Sequence, residues 1–135
     1  MAVRAIRGAI QVDADTRDDI LTGAAELVRG VIDRNRLEHE DFISIVFTAT
    51  PDLTADFPAY AARLMGLTDV PLLCATEISV PGAMPRVLRL LAHVEIDVPR
   101  SAVHHVYLRG AAGLRSWLAD IARSPQARPR SKLQP

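Results

Sequence analysis

The sequence predicts an α+β fold, a mixed five-stranded β-sheet with helices on one face. Three observations carry that reading. Several short runs alternate apolar and polar residues with period two, as strands half-buried in a sheet do. Two stretches, 17–35 and 59–65, instead show helical spacing or helix punctuation and interleave with the strands. The 135-residue length, 49% hydrophobic and 24% charged, suits one soluble domain with a real core. We expect that domain to span 1–115, with 116–135 as a C-terminal segment that is disordered in its last part.

Ala2–Val12 alternates and reads as a strand, with Arg7 on the same face as small apolar residues. Taken alone, Arg7 is most simply a strand-end arginine reaching solvent. Thr16 caps a helix with Asp18 and Asp19 in its first turn, and Ile20, Ala24, Leu27, Val28 and Val31 form one apolar stripe. The stripe ends at Asn35, and Arg36–Asp41 is a charged connector. Phe42–Thr48, rich in β-branched and aromatic residues, is a buried strand. A turn-rich loop leads to Pro58, where a first helical residue belongs, and Gly66 closes a short helix over Ala59–Met65. Val70–Ile78 is the third strand and Arg86–Ile96 the fourth, separated by a hairpin-like break at Pro81-Gly82. A helix over 86–96 would gather Arg86, Arg89 and His93 on one side; the alternation through Ile96 favours a strand. After a turn at Asp97-Val98-Pro99, Val103–Leu108 is a fifth strand carrying Tyr107. Gly110–Gly113 reads as flexible, 117–123 as a last turn of helix, and the Pro- and Arg-rich residues from Ser124 as a frayed tail. Two short helices leave one face of such a sheet without cover from its own chain, which points to oligomerisation.

Composition excludes several functions. Sixteen basic residues balance sixteen acidic ones, so no global charge argues for nucleic acid or an anionic membrane. Nothing approaches the roughly 20 apolar residues of a membrane span, and the first residues lack a signal peptide's apolar core, so the cytoplasm is the expected location. A single cysteine, Cys74, allows no internal disulfide. His104 and His105, adjacent on a predicted strand, point to opposite faces, and His39 and His93 have no matching spacing, so no metal site is expected. Phosphate-binding and nucleophile-elbow motifs are missing. What remains is a set of arginines, the carboxylate of Glu77, Tyr107 and Cys74 on sheet positions, a set suited to binding a small anion through fixed charges. Arg89 stands out. With Val87, Leu91, His93 and Glu95 it occupies the face opposite Leu88, Leu90, Ala92 and Val94, a permanent cation among apolar neighbours that calls for an anionic partner.

The strings RAIRGAIQV at 4–12, TATPDLTADFPA at 48–59, VPLLCATEISVPG at 70–82, the strand around Arg86–Leu91 and DVPRSAVHHVYL at 97–108 follow one another in order. In that order the chain resembles the trimeric α/β class of chorismate mutase, distinct from the all-helical class, as far as about Arg115. The resemblance implies an intramolecular Claisen rearrangement of chorismate to prephenate in phenylalanine and tyrosine biosynthesis. It also implies a homotrimer whose sheets form a pseudo-α/β-barrel core, with active sites in the clefts between subunits and no cofactor. By resemblance, Arg7 holds a substrate carboxylate, helped by Tyr107. Arg89 contacts the ether oxygen, and Glu77 meets the ring hydroxyl with Cys74 beside it. Leu73, Ala75 and Thr76 line the same substrate strand, Phe57 and Arg63 border the pocket, and Leu114 and Arg115 belong to a segment that closes over the site. Two positions depart from the family: Tyr60 stands where lysine is common, and Leu73 where a small hydroxyl residue often occurs.

A pericyclic reaction needs no nucleophile and no protein proton transfer, which agrees with the missing motifs. The protein supplies a reactive conformer and positive charge at the oxygen that gains electron density. Two other readings compete, a trimeric carboxylate-binding or imine-deaminating protein and a non-catalytic partner of a pathway enzyme. The joint presence of Arg7, Glu77 and Arg89 favours the mutase. That reading fails if Arg89 is tied to a neighbouring acid and points away from any cleft.

Overall fold

A computed structural model describes residues 2–114. Its elements are β1 (Val3–Gln11), α1 (Arg17–Asn35), a 3-10 turn at His39–Asp41, β2 (Phe42–Ala49), α2 (Ala59–Leu64), β3 (Leu72–Thr76), β4 (Val87–Glu95), a 3-10 turn at Arg100–Ala102, β5 (Val106–Leu108) and a third 3-10 turn at Arg109–Ala111. Arg115, the helical turn expected at 117–123 and the tail lie outside the described residues.

The strands form one sheet in the order β3-β2-β4-β1-β5. Strand β4 runs antiparallel to its neighbours β1 and β2, whereas β3 lies parallel to β2 and β5 parallel to β1. The mixed five-stranded sheet is therefore as predicted. Parallel neighbours cannot be joined by a tight turn, and α2 supplies the crossover from β2 to β3. One expectation fails here. The strands on either side of the hairpin-like break at Pro81-Gly82 are not paired, because β2 is inserted between β3 and β4.

Both helices pack on the same face of the sheet. Ile6, Ile10 and Val12 of β1 and its end, Ile45 and Phe47 of β2, Leu88, Leu90, Ala92 and Val94 of β4, and Val106 of β5 meet the α1 stripe of Ile20, Ala24, Leu27, Val28 and Val31. The predicted helix cap is present: Asp19 N–H donates to Thr16 Oγ1 at 3.0 Å. Arg36 ends α1 in the left-handed region at φ 53°, its N–H returning to the last turn's carbonyls. Gly66 closes α2 at φ 97°, and Leu67 behind it is buried. Among the described residues no helix is long and apolar enough to cross a membrane.

The fifth strand is shorter than its sequence suggests. Asn35 at the end of α1 captures the backbone of His104 from both sides, its Nδ2 donating to the carbonyl at 2.9 Å and its Oδ1 accepting the N–H at 2.8 Å. Arg7 N–H donates to the His105 ring Nδ1 at 3.0 Å and so finds its partner in a side chain. The His104 backbone thus bonds to α1 and the His105 ring takes a β1 N–H, so the adjacent histidines are not strand residues. The Gly110–Gly113 stretch begins within a 3-10 turn whose Ala111 is fully buried.

Gly23 sits where α1 crosses the sheet, and a Cβ there would lie 2.5 Å from Val12 Cγ1. Gly23→Ala should force the helix off the sheet and lower stability by about 1–3 kcal/mol, read as a shift in the urea midpoint.

Candidate active site

The alternation that buries Leu88, Leu90, Ala92 and Val94 sends Arg89, Leu91 and His93 to the sheet face opposite the helices. Register places the remaining residues around Arg89. It pairs with Thr48 on β2 and with Ala9 on β1; Thr48 pairs with Ala75 on β3, and Ala9 with Tyr107 on β5. One row therefore crosses all five strands: Ala75, Thr48, Arg89, Ala9, Tyr107. The next row carries Leu73, Val46, Leu91 and Arg7.

Glu77 follows β3, with its N–H donating to the Ala49 carbonyl at 2.9 Å. Its carboxylate turns onto the open face. Thr48 Oγ1 donates to Oε2 at 2.6 Å, and Arg89 Nε stands 3.2 Å from Oε1 and 3.1 Å from Oε2. The pair is half-sheltered, with 32% of the Arg89 and 18% of the Glu77 side chain exposed. An ion pair so placed adds little net stability, because desolvation offsets much of the attraction. Its evident effect is geometric, since it fixes the direction of the guanidinium. The condition set on Arg89 is thus met in its first half and not its second. An acid does bind it, but that acid is Glu77, and the arginine stands on the open face. Both contacts use Nε and neither uses a terminal nitrogen.

Tyr107 packs with Ala9, Val87, Ala111, Met84 and Leu114 into a small apolar cluster beside Arg89. Arg7 is exposed on the same face, two residues from Ala9. Its backbone is fixed by the His105 ring, whose acceptor Nδ1 puts the neutral imidazole's proton on Nε2.

The other expected site residues lie elsewhere. Phe57 and Arg63 join Asp56, Ala59, Tyr60, Leu72, Leu73 and Cys74 around a groove of about 510 Å³ between α2, the loop before it and the edge strand β3. Cys74 is not beside Glu77 on the open face. It pairs with the buried Phe47 and packs against the helix-side core, because successive strand residues point to opposite faces. Burial pushes its thiol above the ordinary value, against opposing effects of a hydrogen bond to the Ala59 backbone and the Arg63 charge. Thr76 is exposed at the end of β3.

The loop before α2 is held from three sides. The buried Thr50 exchanges backbone and side-chain hydrogen bonds with Val87. Asp52 accepts Arg86 N–H at 2.9 Å. Asp15 accepts Thr54 N–H, Thr54 Oγ1–H and Ala55 N–H at 2.9 to 3.0 Å, and these bonds, that from the Thr54 backbone foremost, lower its carboxyl below the usual value. Among the described residues no three His, Cys, Asp or Glu side chains cluster to hold a metal. Sequence reasoning missed Thr48 and His105 as supports of the site. Their role is set by strand register, which no local string encodes.

Residues 3–118 match the family model described as chorismate mutase type I. The chain is 47% identical to a Thermus thermophilus protein named chorismate mutase AroH over 114 residues, 84% of this chain and 93% of that one. It is 40% identical to its Bacillus subtilis (strain 168) namesake over 120 residues, 88% of this chain and 94% of that protein. The fold matches a chorismate mutase structure from Clostridium thermocellum with a TM-score of 0.80 at 45% identity, covering 81% of this chain and 97% of that one. The chain belongs to the chorismate mutase type I family. It is accordingly a chorismate mutase, an enzyme of the isomerase class.

The burial of Cys74 sets a chemical expectation. Its alkylation by iodoacetamide near pH 8 should run at least about threefold slower than that of a free small thiol, and accelerate on unfolding. Faster reaction in the native protein would contradict the placement.

Proposed function

We propose that the protein converts chorismate to prephenate, on the route to phenylalanine and tyrosine, at a site made from the open-face cluster of one subunit and the edge groove of another. The observation that carries this reading is Arg89. A permanent cation is held in one orientation by Glu77 and Thr48 on a sheet face that the described helices do not cover.

The two groups of site residues favour assembly between copies. The sheet order sets β1, which carries Arg7, three strand steps from the edge strand β3. At roughly 4.8 Å per step that is about 14 Å of backbone, a gap that Glu77 narrows by turning its side chain back to Arg89. The groove also turns toward the helix side. A second copy that presents its groove to the open face supplies the missing wall without refolding either subunit. Leu73, Ile78, Val80 and Phe57, all large and well exposed, give such a contact apolar surface. A homotrimer, in which each subunit contributes both halves to different sites, closes the arrangement.

The chemistry follows from the charges. As the carbon–oxygen bond of chorismate breaks ahead of carbon–carbon bond formation, the ether oxygen gains negative charge. The Arg89 terminal nitrogens stabilise that oxygen more in the transition state than in the ground state. Glu77 plays two parts. It aims the guanidinium through Nε, and it accepts the ring hydroxyl of the substrate. Arg7 and Tyr107 hold a carboxylate at the other end of the row, and Arg63 and Phe57 close the site from the neighbouring subunit. Selection of the folded conformer supplies the remainder of the rate. No covalent or acid–base step is required of the protein.

Arg89→Ala should keep the fold and lower kcat by at least about 10²-fold in an assay of chorismate absorbance; near-normal turnover would refute its role. Arg63→Ala should act mainly on KM. Coexpressed Arg89→Ala and Arg63→Ala chains, assayed at chorismate well below KM, should regain about a quarter of wild-type kcat/KM through hybrid sites. No recovery from well-mixed oligomers would place both residues in one subunit's site.

A further inference from the structure

Arg17, the first residue of α1, lies outside the groove lining yet touches two members of it. Its Nε donates to Asp56 Oδ2 at 2.8 Å, and its guanidinium carbon stands 5.5 Å from the centre of the Tyr60 ring. Among the described residues Asp56 is the only acid in the groove lining. Its side chain is just 18% exposed, and its other oxygen accepts the Phe57 N–H at 2.6 Å. The Arg17 side chain is 57% exposed, so its fork is engaged on one edge and open on the other. The backbone beneath it is fixed as well. Asp15, two residues earlier, binds Thr54 and Ala55 of the loop that carries Asp56 and Phe57. The start of α1 and the groove wall are therefore fastened to each other.

The charge at this wall needs an explanation. Chorismate carries two carboxylates, and an uncompensated carboxylate in the wall of its groove repels it. A cation within hydrogen-bond distance offsets that repulsion, and its cation–π contact with the Tyr60 ring keeps it at the wall. We propose that Arg17 is a substrate-positioning residue of the mutase: it neutralises Asp56 and, with Arg63, makes the rim of the groove attractive to the dianion. This inference rests on the reading of the groove as half of the chorismate site.

A plain structural staple between α1 and the loop would use the same hydrogen bond, and the two roles differ in what Asp56→Asn does. Asparagine keeps an oxygen for the Phe57 N–H but carries no charge. If Arg17 acts by charge, Arg17→Ala raises KM about three- to tenfold with kcat nearly unchanged, and the effect shrinks in high salt. Asp56→Asn alone leaves KM equal to or below wild type, and Arg17→Ala with Asp56→Asn returns KM to near wild type. Arg17→Lys recovers part of the loss, since lysine restores the charge but not the directed Nε hydrogen bond. If Arg17 is a staple, Asp56→Asn alone raises KM and the double substitution stays impaired, which overturns the proposal. A wild-type KM in Arg17→Ala also overturns it. Arg63→Ala, measured beside these, separates the two failures. If it raises KM while Arg17→Ala does not, only the role of Arg17 falls; if neither moves KM, the groove is not part of the site and Arg17 falls with it. The measurement is steady-state loss of chorismate at low and high salt, on chains whose thermal unfolding matches wild type.

Discussion

The structure turns on one ion pair in an unusual place. Arg89 and Glu77 meet on the open face of the sheet, brought together by β2 and steadied by Thr48 on that strand. An isolated guanidinium on a strand has several rotamers and no reason to choose among them. Bonding its Nε to a carboxylate that is itself hydrogen-bonded removes that freedom and leaves the terminal nitrogens as donors of fixed direction. Preorganisation of this kind matters for a reaction with no covalent step, because donors already aimed do not have to be reoriented while charge develops.

Around that pair the fold divides its labour between two faces. The helix side is a continuous apolar core in which α1 lies across β1, β4 and β5. The opposite side sets Thr48, Arg89 and Arg7 among the apolar Val46, Leu73 and Leu91, with a small apolar cluster around Tyr107 and Leu114 at one end. At the sheet edge a third region, the groove of Phe57, Tyr60 and Arg63, is built on a loop held by Asp15, Asp52 and Thr50. Thr48, Arg89 and Arg7 stand on interior strands, and the groove's loop is held by hydrogen bonds. Two such surfaces on one chain suit a symmetric assembly in which each completes the other.

Much of this was legible in the residues, and the failures share a cause. The α1 stripe, its Thr16 cap and the alternation on β4 were readable because each is a local pattern whose period matches one element. The pairing of Glu77 with Arg89 through an inserted β2 was not, nor was the capture of His104 by Asn35 that shortens β5. Cys74, which the resemblance sets beside Glu77, faces the helix side, because three residues along a strand reverse the face. The fastening of Arg17 to Asp56 and Tyr60 joins positions 39 and 43 residues apart and leaves no trace in either neighbourhood.

The sequence by itself determined the kind of elements, which strand residues share a face, the family and the arginines available to it, because these follow from local period, residue chemistry and ordered motifs. Tertiary structure alone decided which strands are neighbours, that Glu77 rather than solvent orients Arg89, and that the expected site residues fall into two separate groups. The physical reason is that strand order and register arise from packing across the whole sheet, which no single segment encodes.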